Sequence, residues 1–471
     1  MFPPLPPAAL TRRGTAGRLG PCGSRLGWCV VALAVATAPT RAVAQAGTAE
    51  PTATTPGQTA TSIAGSFPDS LVPEAARMRP GVPFDVKAAT DAWLATIPPE
   101  KRERSDAYYE GGYWIQLWSF LLIVVLAVLF LQLGWSRRLR DWAGRRSQSP
   151  WLAALLYYAG FTVVVSLFTF PFAVYTGFVR EHAYGLATQS FAAWLRDQVV
   201  ALAVSLVLGG IAVATLYAVL RRLPRSWPVW GAVVTIVFLV VGALIGPVFI
   251  APLFNRYTPL TDARIREPIL RLARANGVTA GEVWVMDASR QSTRVSANVS
   301  GLLGTERITL NDNLLRRASP PEIEAVMGHE LGHYVLHHVY AHMLFQALLV
   351  LAGFGVLQWG FGWATALWGE RWGIRGVGDP AGLPLLWLIF SIYGFVTAPL
   401  AAGFTRAHES AADLFALNAV RQPDAQAFVL LKLADYRKLD PRPLEEFLFF
   451  DHPSGRARIQ MAMRWKAESA P

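Results

Sequence analysis

Long apolar stretches alternate with short polar ones along most of this chain. Runs of mostly apolar residues fall at about 113–134, 151–176, 198–220, 229–251, 340–368 and 383–404. Each is long enough to cross a bilayer, which takes about 20 apolar residues in helical form. Pro171 lies near the end of the second run and predicts a kink there. A less apolar segment, 252–339, separates the fourth run from the fifth. Within it, residues 283–287 (Val-Trp-Val-Met-Asp) and 307–311 (Arg-Ile-Thr-Leu-Asn) read as short strands. A helix is signalled after Ser319. That residue offers an N-cap, Pro320 fits the first helical position, and Glu322 completes a capping box. Ile323, Val326, Leu331 and Val335 give the helix a packing face. The expected class is an all-α polytopic membrane protein with a small β element.

The stretch ahead of the first run has a different character. Arg12, Arg13, Arg18 and Arg25 precede the apolar run from Trp28 to Ala38, and Ala42-Val43-Ala44 follows. This is the pattern of a secretory signal peptide over residues 1–44, with a retained signal anchor as the alternative. Residues 45–110, rich in Pro, Thr and Ala, then form an exported, flexible segment. A short helix is expected over 86–97, at the membrane surface.

Short-loop arginines set orientation. Arg137, Arg138, Arg140, Arg145 and Arg146 follow the first run, and Arg221, Arg222 and Arg225 follow the third. Both loops are expected to be cytoplasmic. Carried forward, this puts four membrane helices over 111–251 and places 252–339 and the C-terminal tail on the exported side. Those two segments are themselves basic and argue the other way, although long loops follow the rule weakly.

Composition sharpens the class. Of 471 residues, 53% are hydrophobic and only 16% charged, against about 25% charged in soluble domains. Disordered, collagen-like and ordinary soluble proteins are excluded. The net charge of +11 comes from arginines at the ends of apolar runs. It therefore reads as membrane anchoring, and no nucleic-acid partner is expected. The preponderance of arginine over lysine, with abundant Ala and Gly, fits a GC-rich bacterial genome and hence an inner-membrane location. The two cysteines, Cys22 and Cys29, leave any metal in the rest of the chain to histidines and carboxylates.

Such groups occur together at His329-Glu330-Leu331-Gly332-His333. An i,i+4 spacing on a helix puts two imidazoles on one face, within reach of a single zinc ion. Glu330 would act on the zinc-held water as general base. Chance recurrence of so short a pattern is a real alternative, but His and Glu in an apolar capped helix are costly without partners. A tetrahedral site needs another protein ligand. His337, at i+8, suits one ion poorly. Glu409 is the better third ligand, with Asp413 one turn on as an orienting or proton-handling group. The plain alternative is a charged amphipathic helix held by an Arg406–Glu409 pair.

Several separated segments resemble the integral-membrane CAAX prenyl protease 1 family. They run from about residue 150 to the C-terminus. Phe178–Leu186 is similar to a family loop, and Ile250–Leu260 matches a family segment almost residue for residue. Ser296-Ala297-Asn298-Val299, the His329/Glu330/His333 motif and His338 follow in order. So do Arg406, Glu409 and Asp413, and finally His452-Pro453 with Arg458.

The resemblance implies a zinc metalloendopeptidase built as a ring of transmembrane helices around an aqueous chamber, with a small β-hairpin or edge strand beside the zinc-binding helix. It implies that Asn298, on that edge, bonds the substrate backbone and that His452 stabilises the developing oxyanion. Arg458 would assist substrate binding or pair with an acidic site residue. For Asn298 a structural turn is the competing reading, and for Arg458 a role in holding the tail.

Three features depart from the family pattern. Its usual first span is absent or replaced, an acidic insertion before the zinc motif is missing, and a Glu preceding the final Arg is Ala457. The expectation is thus a zinc peptidase domain over 252–471, including helices at 340–368 and 383–404, with one Zn2+ per chain. Glu330, Asp413 and His452 would be catalytic, His329, His333 and Glu409 metal ligands, and Asn298 and Arg458 substrate-binding. The substrate would be CAAX-type or other membrane-associated polypeptides, lipid-modified or not, at a site in contact with membrane lipid. A quality-control protease and a hydrolysis-incompetent scaffold are the alternatives.

Overall fold

The computed structural model describes residues 66–300 and 307–469. The expected signal segment 1–44, and residues 45–65 of the stretch expected to be exported, lie outside the described residues. The short helix α1 forms at Val86–Ala95, where the Asp85 side chain accepts from the backbone N–H of Lys87 and Ala88. Its buried Ala89, Trp93 and Leu94 join a core with Leu430, Leu431, Ile459, Ala462 and Met463 from the C-terminal region.

Four membrane helices and one interfacial helix come next. These are α2 (Pro99–Gln132), the arginine-rich α3 (Trp135–Arg146), α4 (Pro150–Ala183), α5 (Phe191–Arg222) and α6 (Trp227–Leu253). After the sheet come α9 (His338–Trp372) and α10 (Leu383–Val420), which supply the remaining two spans. The described residues thus hold 6 helices long and apolar enough to cross a membrane, at the six positions where the apolar runs place them.

Helix α2 begins well before its apolar run. Its polar first turns are held by Lys101–Asp435 at 2.7 Å and Glu110–Lys438 at 2.8 Å. Pro171 is accommodated inside α4, and the irregularity comes just beyond it as a π-helical turn over Tyr175–Val179. The spans close into a ring. Helix α2 packs on α10, then α10 on α9, α9 on α6, α6 on α5 and α5 on α4, while α3 bridges α4 back to α2. Phe161 contacts Phe130 at 4.8 Å and Trp387 at 5.5 Å, across three of these helices.

Between α6 and α9 lie β1 (Tyr257–Pro259), α7 (Ala263–Ala275), β2 (Val283–Met286), β3 (Ala297–Ser300), β4 (Arg307–Asn311) and α8 (Pro320–Val335). The β element is larger than the anticipated hairpin. It is a four-stranded mixed sheet in the order β1-β2-β4-β3, with β2 and β4 parallel. Pro259 is tolerated because β1 is an edge, and β3 is the opposite edge. One face packs Val283, Ile308 and Leu310 onto Ile269 and Leu272 of α7 and onto Ile323, Met327 and Leu331 of α8. The chain ends in α11 (Pro423–Lys432), α12 (Pro443–Phe449) and α13 (Gly455–Glu468).

Candidate metal centre

Helix α8 starts at the anticipated cap. The Ser319 side chain pairs with the N3 backbone, and Glu322 reaches back to the Ser319 N–H. Helix α8 lies very close to α10, and glycines make this approach possible. A Cβ on Gly332 would stand 3.2 Å from the Ala412 backbone, and one on Gly328 would stand 2.6 Å from Val420 and 3.3 Å from the Ala416 backbone. Small residues one turn apart on both helices therefore set the spacing between the histidines of α8 and the carboxylates of α10. Gly332→Ala should push the helices apart by a few tenths of an ångström and weaken metal retention. The check is residual zinc per chain after dialysis against a graded chelator, read beside wild type.

At this contact the side chains converge. His329 Nε2 is 3.2 Å from His333 Nε2 and 3.2 Å from Glu409 Oε2, and His333 Nε2 is 3.5 Å from Glu409 Oε1. One ligand atom from each lies within 4.8 Å of the other two. Glu409 and Asp413 are buried, at 0% and 1% exposure, one turn apart on α10. Asp413 Oδ1 faces His329 Nδ1 at 2.9 Å. Arg458 of α13 forks onto the same carboxylate, with Nε and Nη2 each 2.6 Å from an oxygen. Arg458 thus sits behind Asp413, buried with it.

His452 lies just before α13. Its Nε2 is 3.2 Å from Glu409 Oε2 and its Nδ1 is 2.9 Å from Asp451 Oδ1. Arg406, one turn before Glu409, donates to the carbonyls of Glu446 and Phe450 and so anchors the segment that carries His452. Glu409 itself is fully buried, so it does not stand on the exposed helix face considered above. Glu330 is half-buried on α8, next in sequence to His329. Asn298 is on the edge strand β3, opposite Thr309, and β3 packs against α8. Its side-chain oxygen is buried without a hydrogen-bond partner.

The donor set suits a zinc ion. Two imidazole nitrogens and a carboxylate leave room for water in a tetrahedral arrangement, and the surroundings favour positive charge. Burial alone would depress His329, but hydrogen bonds to Asp413 and Glu409, and their charges, outweigh it and hold the imidazole at about 9. Burial pulls His452 below the usual imidazole range, in spite of Glu409 nearby.

Two partners escaped the sequence reading. His338 Nδ1 lies 3.0 Å from His333 Nδ1, where it can fix the ring orientation of that ligand. The chain allows this because α8 ends at Val335 and His337 turns back with φ 55°. That turn also takes His337, weighed as an i+8 ligand, out of the helix to an exposed position. Asp451 is the second, and its adjacency to His452 was the available signal.

Comparison with known proteins gives the following. Residues 259–466 match the model for peptidase family M48. Residues 86–256 match the model described as the CAAX prenyl protease N-terminal domain with five membrane helices, where the described residues of this chain hold four candidate spans. An uncharacterized metalloprotease of Bacillus subtilis, YhfN, is 28% identical over 86% of this chain and 92% of its own length. A CAAX prenyl protease 1 homolog of Arabidopsis thaliana is 28% identical over 79% of this chain and 91% of its own. The crystal structure of S. mikatae Ste24p shares the fold, with a TM-score of 0.64, 22% identity, and coverage of 78% of this chain and 89% of that one.

Proposed function

We propose that this chain, a membrane zinc metalloprotease that matches peptidase family M48 over residues 259–466 and the CAAX prenyl protease N-terminal model over 86–256, hydrolyses membrane-associated polypeptides at a single zinc ion held by His329, His333 and Glu409. The observation that carries this assignment is the convergence of three ligand atoms within 4.8 Å beside Glu330, on helices that glycines bring into contact.

When bound, the ion supplies Lewis acidity toward water and the scissile carbonyl. Glu330 takes the proton of the attacking water on its carboxylate and returns it to the departing amine. His452 turns Nε2 toward the site with its Nδ1–H held by Asp451, and once protonated it would donate from Nε2 to the oxygen on which negative charge gathers. Asp413, held by Arg458, orients His329 through Nδ1, and His338 does the same for His333. Asn298 and the β3 edge bind the substrate as an added strand. Main-chain pairing demands little of the substrate sequence, which favours a range wider than prenylated C-termini. The polar cluster stands close to the membrane spans, where an aqueous chamber inside the ring makes it tolerable.

The test is proteolysis by the detergent-purified full chain on a farnesylated CAAX peptide and on an unmodified peptide. Both should be cleaved by zinc-loaded protein. Chelation should abolish cleavage, zinc should restore it, and Glu409→Gln should hold far less than one zinc per chain. Cleavage of the farnesylated peptide alone narrows the function to CAAX-type processing. Stoichiometric zinc with neither peptide cut would instead support a scaffold.

The arginine-rich loops lie at the end of the ring away from the metal cluster, so the positive-inside rule directs the cluster to the exported face, at the inner membrane of a bacterial cell. With Cys22 and Cys29 replaced, a cysteine at exposed Thr261 should react with an impermeant thiol reagent in intact cells. A cysteine at exposed Gln148 should react only after permeabilisation. The reverse pattern would place the site in the cytoplasm.

A further inference from the structure

An open cavity lies at the opposite end of the ring. It measures about 540 Å³ between α3, the start of α4, the end of α5 and the loop from α9 to α10, and its largely apolar walls carry Arg140, Arg221, Arg375, Asp379 and Tyr157. Tyr157 is wholly buried and bonds Ser136 at 2.6 Å, while Ser136 donates to the Ala381 carbonyl. This makes a rigid floor. Arg140 is a fixed wall, because it donates to Asp379 at 2.7 Å, to the Gly373 carbonyl at 2.8 Å and to Asp141. Asp379 is fully engaged, since it also accepts from the N–H of Arg375 and of Ala381, each at 3.0 Å.

The negative charge on the cavity wall is therefore already matched by Arg140. Arg221 and Arg375 remain as cations in excess. Arg221 makes one bond, to the Pro150 carbonyl at 3.2 Å, out of the five N–H donors of a guanidinium. Arg375 reaches only Asp141, at 3.9 Å, and is 74% exposed. The glycine loop is shaped to this arrangement. A Cβ on Gly378 would lie 2.7 Å from Arg221 Cγ and 3.3 Å from its Cα, so the loop closes on Arg221 only as glycine.

The cavity also sits at a telling depth. It is formed by the ends of membrane spans, and exposed Trp142, Trp151, Trp230 and Trp368 stand on α3, at the start of α4, at the start of α6 and near the end of α9. Tryptophans collect at the level of lipid headgroups, and basic pockets between spans at that depth bind anionic headgroups.

We propose that this cavity binds the phosphate of an anionic membrane-lipid headgroup, with Arg221 and Arg375 as its donors. The full-length protein in a neutral maltoside detergent would be titrated with dihexanoyl phosphatidylglycerol, dihexanoyl phosphatidylcholine or inorganic phosphate, and thermal unfolding followed. The phosphatidylglycerol should give a saturable rise in Tm, and the phosphatidylcholine little or none. In Arg221→Gln/Arg375→Gln the apparent Kd should weaken about tenfold or more, while peptidase activity without lipid stays at wild type as the check on folding. Either single variant, or Gly378→Ala, reads the same effect should the double variant lose its fold. An equal, variant-sensitive rise with inorganic phosphate overturns the lipid assignment and gives the site to the free ion. Phosphatidylglycerol binding unchanged in the variants, or no saturable rise with any probe, overturns the site itself.

Discussion

Glu330→Gln should leave zinc content and melting temperature close to wild type and slow peptide hydrolysis by at least ~10². The substitution keeps side-chain volume and hydrogen bonding but removes the only basic position on this residue. Glu330 is half-buried on α8, adjacent to His329 and two residues from Gly332, whose contact with Ala412 fixes the helix in place. The loss should therefore fall on kcat and not on the fold. The measurement is single-turnover hydrolysis with zinc counted in the same sample. A zinc-replete variant that cleaves at the wild-type rate would remove Glu330 from the role of general base.

Arg458→Met should be the most destabilising single change near the site. Asp413 is 1% exposed, and its carboxylate faces two N–H donors of Arg458 and one nitrogen of His329. Removing one partner of such a buried pair costs about 3–5 kcal/mol, because the other charge is left unmatched in a medium that solvates it poorly. The double variant Arg458→Met/Asp413→Asn removes both charges and should recover most of the lost melting temperature. It should not recover metal affinity, which is expected to stay about 10- to 100-fold weaker because His329 loses its orienting carboxylate. Thermal melting and zinc competition with a chelator read the two effects separately. Equal recovery of both would assign Arg458 and Asp413 to stability alone.

The six spans could be read directly because a lipid environment demands an unbroken apolar stretch. The polar start of α2 could not. Residues 99–112 are helical because Lys101, Glu110 and Tyr113 find Asp435, Lys438 and Glu445 more than 300 positions away, and local pattern carries no trace of that. The zinc motif was legible through its cap and its i,i+4 spacing, and Glu409 and Asp413 through the same spacing on a second helix. The mixed sheet was hidden, since the parallel pairing of β2 with β4 joins segments whose local sequence fits a hairpin equally well. His338 was hidden as a partner of His333 because the reversal at His337 occurs at a residue with no glycine to announce it. The arginines of the cavity at the far end of the ring come from α3, the end of α5 and the loop from α9 to α10, which local sequence does not bring together.

His452 and Arg458 follow the six membrane spans of the described residues, yet they pack directly onto Glu409 and Asp413, and α13 is locked in turn against α1, which precedes those six spans. Assembly of the centre therefore follows synthesis of those six spans. During translation, a chain with its six spans already in the bilayer still lacks the groups that align its own carboxylates. The order of synthesis thus acts as a safety catch: a hydrolase inserted among other newly made membrane proteins becomes competent only after α13 has folded back onto α1.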